Sequence, residues 1–213
     1  EFSKAARHPQ RLDDAGVAYV DGTHGVVLEK DGVRVGFTAS GLRFDEGTFL
    51  AQAAVLRALG CTAVVHVMHM GEEYADTLTA GQTRAARFVA ENGALLVVGH
   101  HPHVAQGLAV IGQTTVAYSL GNCVFGGNTA PRDYDAYLLR ATLRFTDGVP
   151  TQSQAALWPI RISGAKGQND YRPVLLTGED AARVLDKAQA TSTFTLAPFV
   201  DGQGAMQAPV TLP

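Results

Sequence analysis

The sequence has almost no cysteine: Cys61 and Cys123 are its two, far apart and outside any Cys-x-x-Cys pair. A disulfide framework and a thiolate zinc knuckle are therefore not its organising devices, and both residues read as small apolar side chains. It has no block of like charge, and a net charge of -3 provides no basic face of the kind nucleic acid needs, so nucleic acid is not an expected partner. No apolar run approaches the roughly twenty residues that cross a bilayer, and residues 1–20 lack the charged-then-apolar layout of a signal peptide. Internal repeats and an interdomain linker are missing as well. What remains is a chain of 213 residues, 46% hydrophobic and 17% charged, enough for one α/β domain with a substantial core.

Residues 4–14 carry helix formers and stop at Ala15-Gly16, which reads as the second half of a helix. Residues 17–20 follow as a strand, and residues 25–29 and 33–38 pair as a hairpin across Lys30-Asp31-Gly32. From Phe49 to Leu59, helical spacing puts Leu50, Ala53, Ala54, Leu56 and Leu59 near one face, with Gly60 as the stop. Strand 62–69, an amphipathic helix over 77–92 and strand 94–98 make a β-α-β unit with parallel strands. Strands are expected at 108–111 and 114–120. The amphipathic stretches 136–145 and 154–162 suit an antiparallel second layer, and a terminal helix spans 179–189 with Thr177 as N-cap. From Thr191 onward Pro, Gly, Gln and Ala dominate, which predicts an extended, loosely held tail over 191–213 after a single domain over 1–190.

Three of the seven histidines, His100, His101 and His103, fall within four positions after the apolar run Leu95-Leu96-Val97-Val98-Gly99. Such a run reads as a strand buried on both faces, so the imidazoles belong at its carboxyl end, where open α/β sheets bind ligands. Gly99 allows a sharp turn, and Pro102 biases His101 toward an extended backbone. His69 ends the preceding strand before Gly71, so the β-α-β unit brings it to the same sheet edge; His66, mid-strand, reads as packed or hydrogen-bonded. Three clustered imidazoles point to metal or phosphate chemistry. Glu72 and Glu73 read equally as a solvated turn or, for Glu73 with Tyr74, as a group that orients a histidine or moves a proton. Gly121-Asn122 offers a tight turn with an amide near the site, and Arg132, on a polar loop, is suited to an anionic substrate. Ser119 lies in no Gly-x-Ser-x-Gly elbow, which removes support for a serine hydrolase.

His69-Met70-Gly71-Glu72-Glu73-Tyr74, Gly99-His100-His101-Pro102-His103-Val104-x-Gln106 and Tyr118-Ser119-Leu120-Gly121-Asn122-Cys123-Val124-Phe125 resemble, in order and spacing, the CapA-like poly-γ-glutamate capsule biosynthesis proteins, a branch of the calcineurin-like metallophosphoesterases. Met70 and Cys123 stand where that family usually has Trp and Phe; neither is a ligand position. The resemblance implies a two-layered sheet sandwich flanked by helices and a site for two divalent ions, Mn, Fe or Zn. By motif, His69 resembles the family's lone histidine ligand, and two of His100, His101 and His103 resemble its histidine-x-histidine pair; His101 and His103 have that spacing. His103, His69 and Glu73 are then candidates for proton transfer, and Asn122 and Arg132 for contact with substrate.

The resemblance also implies Gly-Asp and Asn-His motifs ahead of the helix that ends near Gly16, so the sequence reads as truncated and missing the first strands. On that reading the chain holds at most one ion weakly and is inactive alone, since a bridging carboxylate is what keeps two cations together. For the intact protein the implied activity is metal-assisted hydrolysis of a phosphoester. The competing readings are a non-catalytic protein that holds an anionic polymer such as poly-γ-glutamate in the same cleft, and a metal-dependent amide hydrolase acting on it. The implied partners are the anionic polymer or phosphoester and a capsule-synthesis membrane complex, and the implied location is the cell envelope or its extracellular face.

Overall fold

The computed structural model describes residues 12–126, 128–165, 167–200, 204–206 and 210–211. Most of the helix expected over 4–14 lies outside them; residues 12–14 are helical, and the chain leaves the turn at Gly16 with φ 66°. Residues 17–20 do not form the expected strand. Among the described residues they have no partner strand, and a strand without a ladder partner is not held.

Strands β1 (Val26–Lys30) and β2 (Val33–Ser40) form the expected hairpin, with Lys30 opposite Val33. Asp31 and Gly32 both take positive φ, 52° and 77°, the turn whose twist matches an antiparallel pair. Helix α1 (Glu46–Ala58) begins three residues before the expected Phe49, because the Asp45 carboxylate accepts the Thr48 N–H at 2.7 Å and caps it. Its buried stripe is Phe49, Ala53 and Leu56, whereas Leu50 and Leu59 are exposed: the helix is turned so that its aromatic faces the sheet. Strand β3 (Ala63–His69), helix α2 (Ala80–Glu91) and strand β4 (Leu96–His100) make the expected β-α-β unit, and Thr79 with Gln82 closes a capping box at the start of α2.

With β5 (Leu108–Ile111) and β6 (Thr114–Ala117) these strands build a six-stranded mixed sheet in the order β1-β2-β3-β4-β6-β5. The inner strands β2, β3, β4 and β6 run parallel; β1 and β5 are antiparallel edges. Helices α1 and α2 cover one face through Phe49, Ala53, Ala86 and Val89 against Met68, Val97 and Val116. The opposite face, including Val35, Val67 and Val98, looks across an apolar cleft of about 700 Å³ toward Leu139 and Leu143 of the second sheet.

That second sheet is the expected antiparallel layer. Strands β7 (Asp135–Thr146) and β8 (Val149–Arg161) are a long hairpin turned at Asp147 and Gly148, both with positive φ. The second strand begins five residues before the expected 154, because Asp147-Gly148 repeats the turn chemistry of Asp31-Gly32. Three two-residue strands, β9 (Val174–Leu175), β10 (Ala205–Met206) and β11 (Val210–Thr211), also pair with β8. Helix α3 (Gly178–Ala190) packs Ala181, Val184, Leu185 and Ala188 against Leu108, Tyr137 and Leu157. Thr177 precedes it, but its side chain makes no capping hydrogen bond.

The expectation of a loose tail is corrected by residues 191–199. Gly107 N–H donates to Thr191 Oγ1 at 2.7 Å, Leu108 N–H to Ser192 Oγ at 2.9 Å, and Phe194, Leu196 and Phe199 pack on the core. Composition hid this because three apolar anchors sit among Thr, Ala and Pro. The fold is thus a mixed α/β arrangement with a six-stranded sheet flanked by helices, consistent with a calcineurin-like sheet fold.

Candidate metal centre

The parallel pairing of β3 and β4 places His69 opposite His100 in register, so both strands end at one sheet edge. Gly99 does not turn the chain there; it lies within β4. It is required for another reason: a Cβ at that position would overlap the Tyr118 carbonyl oxygen and lie 2.6 Å from its carbon. His101 does not take the extended backbone expected before Pro102 either. Its φ is 106°, and His103 and Tyr74 have φ of 59° and 61°. Positive φ at bulky residues is costly and persists only where surrounding contacts enforce it. Two cross-loop bonds do so here: Met70 N–H to His100 O at 3.1 Å and Tyr74 N–H to Pro102 O at 2.7 Å.

The four sequence-predicted histidines come together. The His69 ring centroid lies 4.5 Å from those of both His100 and His101, and His101 lies 6.2 Å from His103. His69 Nδ1 and His100 Nδ1 are 2.7 Å apart, a hydrogen bond in which one ring donates and the other accepts. Partial burial, followed by the neighbouring imidazoles, lowers the pKa of His69 to about 4. Burial and then His101 and His103 lower that of His100. Both rings therefore stay neutral at physiological pH, the form in which an imidazole nitrogen has a lone pair to give.

Glu73 takes a more direct place than its neighbour in sequence. One donor atom each from Glu73, His101 and His103 lies within 4.8 Å of the others, whereas Glu72 is outside this group. Ligand atoms on one tetrahedral Zn²⁺ stand ~3.4 Å apart, so movements of about 1 Å would close the set. Asn122 decides the state of His103. Its Oδ1, which can only accept, is 2.7 Å from His103 Nδ1, and its Nδ2 donates to His103 O at 3.3 Å. Nδ1 must carry the hydrogen, and the lone pair is left on Nε2.

Arg132 is also drawn to the site, though at its exposed rim. Its Cζ lies 4.5 Å from the centroid of the Tyr74 ring, which in turn stacks on His103 at 5.8 Å. Phe125 packs against His103 at 5.1 Å, and Asn169 holds the Phe125 carbonyl with an Nδ2–H donor at 2.8 Å. The aromatic walls of Tyr74 and Phe125 were not legible as such; the only signal was that both belong to the quoted motifs. His66 stays apart, buried between Thr38 Oγ1 at 2.8 Å and Ser40 Oγ at 3.0 Å, as its mid-strand position implied.

Two or more imidazoles with one carboxylate, brought together from two loops on a strained backbone, fit a divalent cation with mixed nitrogen and oxygen preference, such as Mn, Fe or Zn. Among the described residues no helix is long and apolar enough to cross a membrane.

Comparison with known proteins matches residues 4–127 to a family model described as bacterial capsule synthesis protein PGA_cap. The chain is 44% identical over 71 residues to the PGA biosynthesis protein CapA of Bacillus subtilis (strain 168), a segment that is 33% of this chain and 19% of that protein. It is 41% identical over 81 residues to the capsule biosynthesis protein CapA of Bacillus anthracis, 38% of this chain and 20% of that protein. The matched part thus spans about a fifth of the length of these relatives.

Proposed function

The chain belongs to the bacterial capsule synthesis protein family, and from that premise we propose that it binds a divalent cation through Glu73, His101 and His103, beside His69 and His100, and uses it on an anionic substrate of capsule synthesis. The single observation that carries this reading is the convergence of Glu73, His101 and His103 donor atoms within 4.8 Å. A bound cation would supply Lewis-acid polarisation of a substrate oxygen, the chemistry of a metal-dependent phosphoesterase. The chain's own residues do the rest. Asn122 occupies Nδ1 of the His103 ring, so Nε2 either coordinates or moves a proton, not both. His69 and Glu73 are the other candidates for proton transfer. The Arg132 guanidinium, laid on Tyr74, offers its N–H donors to a carboxylate or phosphate at the rim. The expected substrate is a phosphoester or an anionic polymer such as poly-γ-glutamate, handled at the cell envelope with a capsule-synthesis membrane complex.

A second reading, binding of the polymer without turnover, is supported by the exposure of both Glu73 and Arg132, which suits a groove that holds a long chain. Calorimetric titration with Mn²⁺ tests the metal reading. Saturable binding is expected, and His101→Ala should weaken it by about a hundredfold, the upper end of what loss of a supporting residue costs. Absence of binding, or an unchanged affinity in the variant, overturns it. Turnover of p-nitrophenyl phosphate by the Mn²⁺-loaded chain would favour hydrolysis over binding alone. Arg132→Gln is expected to weaken binding of short γ-glutamyl oligomers by about tenfold while leaving Mn²⁺ affinity unchanged, since a charge-assisted hydrogen bond contributes ~1.5–3 kcal/mol. An equal loss for the oligomer and the metal would remove Arg132 from substrate recognition.

A further inference from the structure

Glu73 is the oxygen donor of the cluster, yet it is exposed and sits on an irregular loop between β3 and α2. A carboxylate on such a loop reaches two imidazoles reliably only if the loop itself is fixed, because a displacement of about 1 Å defeats a binding constellation. The near half of the loop is tied to the histidine loop by Met70 N–H and Tyr74 N–H. In the far half, the carbonyls of Ala75 and Thr77 are held by one side chain, that of Gln106. Gln106, fully buried, donates from Nε2 to Ala75 O at 2.9 Å and Thr77 O at 3.3 Å. Its Oε1 accepts from Nε2 of Gln82, also fully buried, at 3.0 Å, and Gln82 Oε1 accepts from Thr79 N–H at 3.0 Å. Because backbone carbonyls only accept, the orientation of both amides follows with no ambiguity. The Gln106 backbone is fixed too, by Ser119 O and by the Tyr137 hydroxyl.

A buried amide is tolerated only when its hydrogen bonds are made, and this pair spends its amides on one loop and on the helix start that follows it. Gln106 is three residues beyond His103, so it joins the histidine loop directly to the loop that carries Glu73. We propose that Gln106 is a positioning residue: with Gln82 it sets the Glu73 carboxylate against His101 and His103, and so tunes the cation affinity of the site. This rests on the metal reading above.

The test is hydrogen exchange of the metal-free chain together with Mn²⁺ titration, for Gln106→Met alone and combined with Glu73→Gln. Exchange at the hydrogen-bonded amides of Tyr74 and Ala75 should rise by about tenfold in Gln106→Met. Its Mn²⁺ affinity should fall by about tenfold, as for other residues that orient ligands, with no further fall in the Glu73→Gln background. Unchanged exchange refutes the hold of Gln106 on the loop. The same affinity loss with and without the Glu73 carboxylate refutes its action through Glu73. If the unaltered chain takes up no Mn²⁺, the metal reading fails, while exchange still decides whether Gln106 fixes the loop. Should Gln106→Met not fold, Gln82→Met removes the partner of Gln106 Oε1, and the same changes are expected at roughly a third of the size.

Discussion

Gly99→Ala is expected to lower the stability of the chain by about 3 kcal/mol or more and to abolish Mn²⁺ uptake with it. The cause is backbone against backbone. A Cβ at Gly99 would overlap the Tyr118 carbonyl oxygen, with the Ala117 carbonyl oxygen at 3.0 Å, so no side-chain rotation relieves it. Tyr118 cannot retreat cheaply, since it is buried, its N–H bonds Gly107 O at 3.0 Å, and Leu120 N–H bonds Gly99 O at 3.1 Å. Relief must come from parting β4 from residues 118–120, which moves His100 and His101 away from His69. Overpacking of a rigid core costs ~1–3 kcal/mol where side chains can adjust, and more where they cannot. Urea unfolding measures it. Gly47→Ala is the control: its added Cβ meets only Asp45 Oδ1 at an ordinary 3.5 Å and sits in the first turn of α1, where alanine is favoured over glycine. A loss under about 1 kcal/mol in Gly99→Ala would show that the close approach is not a constraint.

Acid should destabilise the chain through His66. Burial lowers the His66 pKa from 6.5 to about 4, and the ring is enclosed by Thr38, Ser40, Phe44 and Phe49. A histidine held neutral in the native state contributes stability that is complete above pH 6.5 and is lost as pH falls toward 4, because over that window the unfolded chain binds a proton that the native one refuses. The full difference is about 3 kcal/mol. Asp135 acts later. Its burial raises the carboxyl pKa, but hydrogen bonds from Arg183 and Lys187 outweigh this and hold it below the ordinary value, so its contribution is lost only at more acid pH. Unfolding at pH 7 and pH 4.5 should therefore show a steep loss in the unaltered chain and a smaller one in His66→Gln, the remainder belonging to His69 and His100, whose pKa values are lowered as well. Equal slopes would mean that His66 is protonated in the folded state.

Fold class was legible in the sequence because it rests on local signals. The Asp31-Gly32 turn and the apolar run ending at His69 each act within a few residues, and each appears where the pattern placed it, whereas the helix expected from 77 begins at Ala80 after the Thr79 cap. The signals that misled were those in which a neighbour distant in sequence decides. Residues 17–20 have strand composition but no strand beside them; α1 turns Phe49 inward because the sheet, not the helix, sets its buried face; residues 191–199 look loose until Gly107 and Leu108 supply partners.

The same division runs through the site. The sequence by itself determined which imidazoles gather at one sheet edge, because two strands joined by a right-handed helical crossover must end side by side. Only the tertiary structure decided that Glu73 rather than Glu72 reaches His101 and His103, that Asn122 sets the His103 tautomer, and that Arg132 lies on Tyr74. Those outcomes depend on backbone angles at His101, His103 and Tyr74 that run against local preference. Such angles are imposed by contacts from elsewhere in the chain, and no local pattern encodes them.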